Sequence, residues 1–143
     1  MSRSLLPFDG SPAATRALNY LIRQVSSGLA AKAEVHLINV QPLADAWIVH
    51  RLLPEAELAT MARAYGEAVL APAVATLTAA GIKVTPHIER GEIASVITQL
   101  AADQSCDQIV MGTRGLSTLG DLLLGSIATR VLHLATVPVT FVK

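Results

Sequence analysis

Three glycines and a serine, spaced Gly112-x2-Gly115-x9-Gly125-Ser126, are the residues of this chain whose types suit the binding of an anion. They follow the apolar run Gln108-Ile109-Val110-Met111 and lead into a helical pattern, so they fall where a strand hands over to a helix. Glycine has no Cβ and reaches positive φ, which lets backbone N–H groups approach a ligand at Gly112, Gly115 and Gly125. Ser126 stands at the helix start, where unpaired N–H groups and the helix dipole favour negative charge and a hydroxyl adds a donor. The turn reads as a backbone cradle for a polyphosphate. Arg114, inside it, either neutralises phosphate charge or lies solvated on the loop.

Two common glycine loops are excluded by the spacing. A P-loop needs Lys and then Ser or Thr after its last glycine, whereas Gly125 is followed by Ser126 and Ile127. The dinucleotide fingerprint needs Gly-x-Gly-x-x-Gly after a first strand, and this motif is late in the chain with its first pair too far apart. Taken alone, the glycines leave a flexible, ligand-free turn as the alternative. No catalytic constellation accompanies them. Ser126 has no sequence-evident His partner, no Cys/His or Glu/His metal spacing occurs, and no base is placed to activate water. His36 reads as a hydrogen-bonded strand histidine, His133 as a last-turn residue suited to the helix dipole, and Cys106 as a buried small apolar side chain.

These residues need a scaffold, and the composition says which kind. Hydrophobic residues make up 52% and charged residues 15% of the 143, a balance that fits a parallel sheet covered on both faces. That length suits one domain over residues 1–143. Eleven basic and eleven acidic residues cancel without a Lys/Arg-rich run, so no nucleic-acid partner is expected. No stretch approaches the roughly 20 apolar residues of a bilayer span and no signal peptide is visible, so no membrane association and a cytoplasmic location are expected.

The pattern alternates strand and helix throughout. Residues 3–7 form a first strand ended by Asp9-Gly10-Ser11-Pro12, with Ser11 as N-cap and Pro12 in the first helical position. A helix with Ala14, Leu18, Leu21, Ile22, Val25 and Leu29 on one side runs towards Gly28. Residues 33–40 are a second strand, and residues 41–54, with Trp47 and His50, a loop that would cover the site. From 55 to 80 a helix carries a stripe of Leu58, Met61, Ala62, Tyr65, Val69, Ala73 and Leu77, with Pro72 expected to bend it or loosen a turn. Residues 82–88 are a third strand, placed at a sheet edge or strand end by Pro86. Gly91-Glu92 opens a third helix, 108–111 is the fourth strand, 126–135 a helix with Ile127, Val131 and Leu134 inward, and 137–142 the fifth strand. A β-α-β-α-β-α-β-α-β chain argues for an α/β fold with helices on both faces of a parallel sheet.

Three stretches together carry a family resemblance: Leu5-Leu6-Pro7-Phe8-Asp9-Gly10-Ser11 near the start, the glycine motif, and Thr136-Val137-Pro138-Val139-Thr140-Phe141-Val142 at the end. Over nearly all its length the chain resembles the universal stress proteins, and its motif resembles that of their ATP-binding members. The resemblance implies a five-stranded parallel sheet in the order 3-2-1-4-5, an adenine nucleotide α-hydrolase-like fold. Strands one and four then meet at the topological switch point, where α/β proteins bind ligands. It also implies the nucleotide contacts. Pro7 and Asp9 match the strand-one positions, Val40 the residue whose backbone reads the adenine edge, and Met111 and Gly112 those against adenine and ribose. Gly115, Gly125, Ser126 and Ile127 match the phosphate-holding positions. Asp9 would bond ribose or orient a Mg2+ ion, or Mn2+ in its place, on the phosphates; the other reading is an Asx-type turn with Ser11. Asp121 departs from the pattern, standing where members often carry a basic residue. The implied function is ATP binding with a regulatory role in the stress response, in a homodimer formed through the C-terminal strand. A non-nucleotide interaction dimer is the alternative. A slow ATP-hydrolysing enzyme is the less favoured alternative, and no dedicated catalytic activity is expected.

Overall fold

The computed structural model describes residues 2–29, 32–43, 51–113 and 124–143. Strands β1 (Ser2–Pro7), β2 (Ala33–Gln41), β3 (Lys83–Arg90), β4 (Gln108–Gly112) and β5 (Val139–Val142) form one sheet in the order β3-β2-β1-β4-β5. Every neighbouring pair is parallel, as the alternating pattern and the family order required. Period-2 alternation splits the sheet's side chains between two cores. Leu6, Val35, Leu37 and Val110 pack on one face with α1 (Pro12–Ser26) and α2 (Glu55–Ala79). Leu5, Ile38, Ile109 and Met111 pack on the other with α3 (Ile93–Asp103) and α4 (Ser126–Leu134). No helix among the described residues is long and apolar enough to cross a membrane.

Helix starts follow local chemistry. Ser11 caps α1, its Oγ accepting from the Ala14 N–H at 3.1 Å, and Pro12 costs nothing in a position that has no intrahelical donor bond. Glu92 caps α3 by accepting the Ser95 N–H at 2.7 Å, a stronger role than first-turn charge alone. Gly28, at φ +76°, follows the end of α1.

Two helix readings are corrected. α2 runs unbroken through Pro72, and its inward stripe is Leu58, Gly66, Leu70, Ala73 and Leu77. Met61 and Tyr65 are instead 59% and 55% exposed. Gly66 decides the rotation: a Cβ there would stand 2.6 Å from Ile88 Cγ2, so the helix approaches β3 closely at the one residue without a side chain. α4 buries Ala128 and Val131, whereas Ile127 and Leu134 are 37% and 42% exposed. α3 turns Ala94 fully inward with Ile97 and Ala101, while Ile93, Val96 and Leu100 flank them.

Candidate functional site

The chain leaves β1 to build β2 and β3 on one side and returns to place β4 and β5 on the other. A crevice therefore opens beyond the carboxyl ends of β1 and β4. It holds a narrow cleft of about 100 Å³. Pro7, Asp9, Val40, Met111, Gly112 and Ile127 all line it, over a floor of Ile38, Ile97 and Ala128. A contiguous outer part is lined by Asp9, Val40, Ile127, Gly125 and Ser126, with Tyr65 and Gln41 across from them. Arg114, Gly115 and Asp121 lie outside the described residues, as do Trp47 and His50 of the expected covering loop.

Two of the helix N-termini at the crevice, those of α1 and α4, differ in what they offer. At α1 most donors are spent: the Ser11 N–H goes to Asp9 Oδ1 at 2.9 Å, Ala14 N–H goes to Ser11 Oγ, and Pro12 has none, which leaves the Ala13 N–H without a side-chain acceptor among the described residues. Asp9 thus makes the Asx-type turn with one carboxylate oxygen. At α4 the cap is Gly125, with no side chain to accept, so the first-turn N–H groups of Ser126, Ile127 and Ala128 have no side-chain acceptor among the described residues. These donors and the positive end of the helix favour an anion at α4.

Two glycines do other work than the sequence suggested. Gly125 sits at φ −58°, not in the left-handed region, and its N–H donates to Thr113 O at 2.7 Å. That bond joins the two ends of the glycine stretch, and it leaves Gly125 no free donor for phosphate. Gly112 is not a positive-φ residue either. A Cβ on it would lie 2.7 Å from both the carbonyl carbon and the Cβ of Ala13, so its missing side chain admits the first turn of α1.

Asn39 is the residue that sequence reading missed. It is buried, donates from Nδ2 to Phe8 O at 3.0 Å, and accepts from Gln41 Nε2 at 3.1 Å. Phe8 N–H bonds Ile38 O at 2.8 Å. By alternation, the main-chain groups of Val40 point to the same side, where β1 has already ended. Because the Asn39 amide takes the Phe8 carbonyl, the N–H and C=O of Val40 face the crevice instead of continuing the ladder. The available signal was a polar side chain inside a run of buried β residues, which has to be hydrogen-bonded. Asn39→Ala is expected to cost about 1–3 kcal/mol by orphaning Phe8 O, measured by urea unfolding. An unchanged midpoint would mean that water replaces the amide without loss.

A profile described as "Universal stress protein family" matches residues 1–143. The chain belongs to the universal stress protein family. A universal stress protein of Thermus aquaticus, encoded in a QAH/OAS sulfhydrylase 3′ region, is 34% identical, over 97% of this chain and 96% of its own. The solved hypothetical protein MJ0577 superposes with a TM-score of 0.85 at 28% identity, over 99% of this chain and 95% of its own. A universal stress protein family member from Arabidopsis thaliana, solved with AMP bound, shares the fold at a TM-score of 0.72 and 20% identity, over 100% and 92% of the two chains. Among the described residues of this universal stress protein, no group of three or more His, Cys, Asp or Glu side chains is arranged to hold a metal ion.

Proposed function

We propose that this universal stress protein binds ATP with Mg2+, or Mn2+, in the crevice between β1 and β4 and acts as a nucleotide-responsive regulator in the stress response. The observation that carries the reading is the uncapped start of α4 on the rim of an apolar-floored cleft whose wall exposes the main chain of Val40. The parts suit a nucleotide. Met111, Ile38 and Ile97 offer an apolar seat for a base, Val40 offers a donor and an acceptor for its edge, and Ser126 and Ile127 offer N–H groups for phosphates. Asp9 keeps one oxygen beyond its turn for a ribose hydroxyl or a phosphate-bound cation. Gly115 and Arg114 complete the proposed set from the sequence. That a family member of this fold holds AMP agrees with the reading.

Calorimetric titration with ATP and Mg2+ tests it, and heat of binding is expected. Ser126→Pro is the informative variant. Proline is favoured at a first helical position, and Gly125, at ψ 160°, already has the extended conformation that precedes proline. The fold is expected to survive while one N–H and one hydroxyl are lost. Affinity should drop about tenfold or more, as for a hydrogen bond to a charged group. No heat at millimolar ATP would favour the interaction dimer without nucleotide. Binding that is equally tight in the variant would remove phosphate from α4.

The proposal includes a cytoplasmic homodimer through β5. The outward main-chain groups of β3 belong to Val84, Pro86, Ile88 and Arg90, because Gly91 N–H bonds Gln41 O. Pro86 therefore interrupts that edge with a missing donor. The outward groups of β5 belong to Val139 and Phe141, which carry their N–H groups and leave the edge open for pairing. Light scattering is expected to give twice the chain mass, and a monomer at micromolar concentration would refute the pairing.

A further inference from the structure

We infer that Glu34, His36 and His87 form an acid-sensitive clasp that fastens the edge strand β3 to β2 and lets it go when both imidazoles are protonated. The clasp lies away from the crevice and does not depend on nucleotide binding. His36 Nδ1 and His87 Nε2 are 2.9 Å apart, with ring planes 25° from parallel. A contact that short between two ring nitrogens needs one proton between them, with one ring donating and the other accepting.

Glu34 decides which ring donates. Its carboxylate is buried, lies 3.7 Å from His36 Nε2, and pairs with Lys83 Nζ at 3.1 Å and Arg3 Nε at 3.4 Å. The Lys83 bond holds the Glu34 carboxyl below its usual range, so it stays ionised where histidines titrate. A carboxylate facing Nε2 favours a proton on that nitrogen. His36 Nδ1 is then the acceptor, and His87 Nε2 the donor.

The two added protons have different consequences. The first goes to the remaining nitrogen of His87, and the imidazolium still donates to His36. The second has nowhere to go except His36 Nδ1, inside the bond itself. Two cationic rings would then present N–H groups to each other at 2.9 Å. Burial already pushes both rings below 6.5, and His36 adds to the effect on His87. Because the folded values lie below the free value, the unfolded chain takes up protons first as pH drops under 6.5. Stability is complete above that point and is lost progressively below it. The surrounding charges do not reverse this sign. Glu34 favours a charged His36 and Glu89 a charged His87, but Arg3 and Lys83 oppose the first. Arg63 and Glu67 of α2 line a cleft with His87, across the sheet from its ring, and are ion-paired to each other at 3.2 Å. Asp103 of α3 lines a cleft with Glu89 and binds Gln99 Nε2 at 2.8 Å.

Imidazole nitrogen NMR and amide exchange on the whole protein test this directly. At pH 7.5 His36 is expected as the Nε2–H form with a bare Nδ1. Between pH 7 and pH 5, after correction for intrinsic rates, the Thr85, His87 and Glu89 amides facing β2 should lose about tenfold or more of their protection. Leu6 and Val110, in central strands, should keep theirs. In His87→Gln, whose amide donates at any pH, the loss in β3 should vanish. An Nδ1–H form of His36, an equal loss in all strands, or a β3 loss that persists in the variant would overturn the clasp. If the variant does not fold, the two wild-type measurements still decide.

Discussion

Gly112→Val is expected to lower the unfolding free energy by about 1–3 kcal/mol or more, the cost of forcing atoms into a packed site. The new Cβ would stand 2.7 Å from the carbonyl carbon and 2.8 Å from the carbonyl oxygen of Ala13. Relief by a side-chain rotation is impossible there, because the obstacle is backbone in the first turn of α1. That turn is itself held by Ser11, whose hydroxyl caps Ala14 and whose N–H is bound by Asp9. The displacement would therefore reach Asp9 and the crevice wall. Urea unfolding reads the first effect, and ATP titration the second. A variant with wild-type midpoint and affinity would show that α1 yields freely, against the contact described.

Leu37→Ala is expected to cost more, about 2–5 kcal/mol, out of a total stability of roughly 5–15 kcal/mol for a domain. Leu37 is fully buried in a strand flanked on both sides, within the core under α1 and α2. Its neighbours Val35, Leu6 and Leu77 are held by the sheet and by a long helix, so the void has little means of collapse. The thermal midpoint should fall by several degrees. A loss under 1 kcal/mol would mean that this core repacks, contrary to the tight seating of α2 on β3 at Gly66.

The parallel α/β class was legible because β-branched runs alternated with helical stripes, whereas the strand order, and with it the switch-point crevice, was implied by the family resemblance. Helix faces were less legible, for a physical reason. In α2 the large residues Met61 and Tyr65 dominate an apolar count, but the contact is made by Gly66 and Ala73, whose value is the space they leave. The same blindness applied to Gly112, where an absent side chain serves a helix start and not a dihedral angle. Gly125 was legible as a loop end, yet only coordinates show that Thr113 takes its N–H. Asn39 offered only the sign of a polar residue in a buried strand, because its partner, Phe8 O, lies just past the end of β1, 31 residues away.

Pro86 has a consequence beyond its own strand. A sheet with two equally receptive margins can add copies indefinitely, each newcomer offering a fresh template to the next. With a donorless proline in the middle of β3, this sheet can be extended from one side alone. Any association by strand addition at β5 thus consumes the receptive margin of both participants and presents only blocked ones outward, so growth towards a fibre stops at the first step.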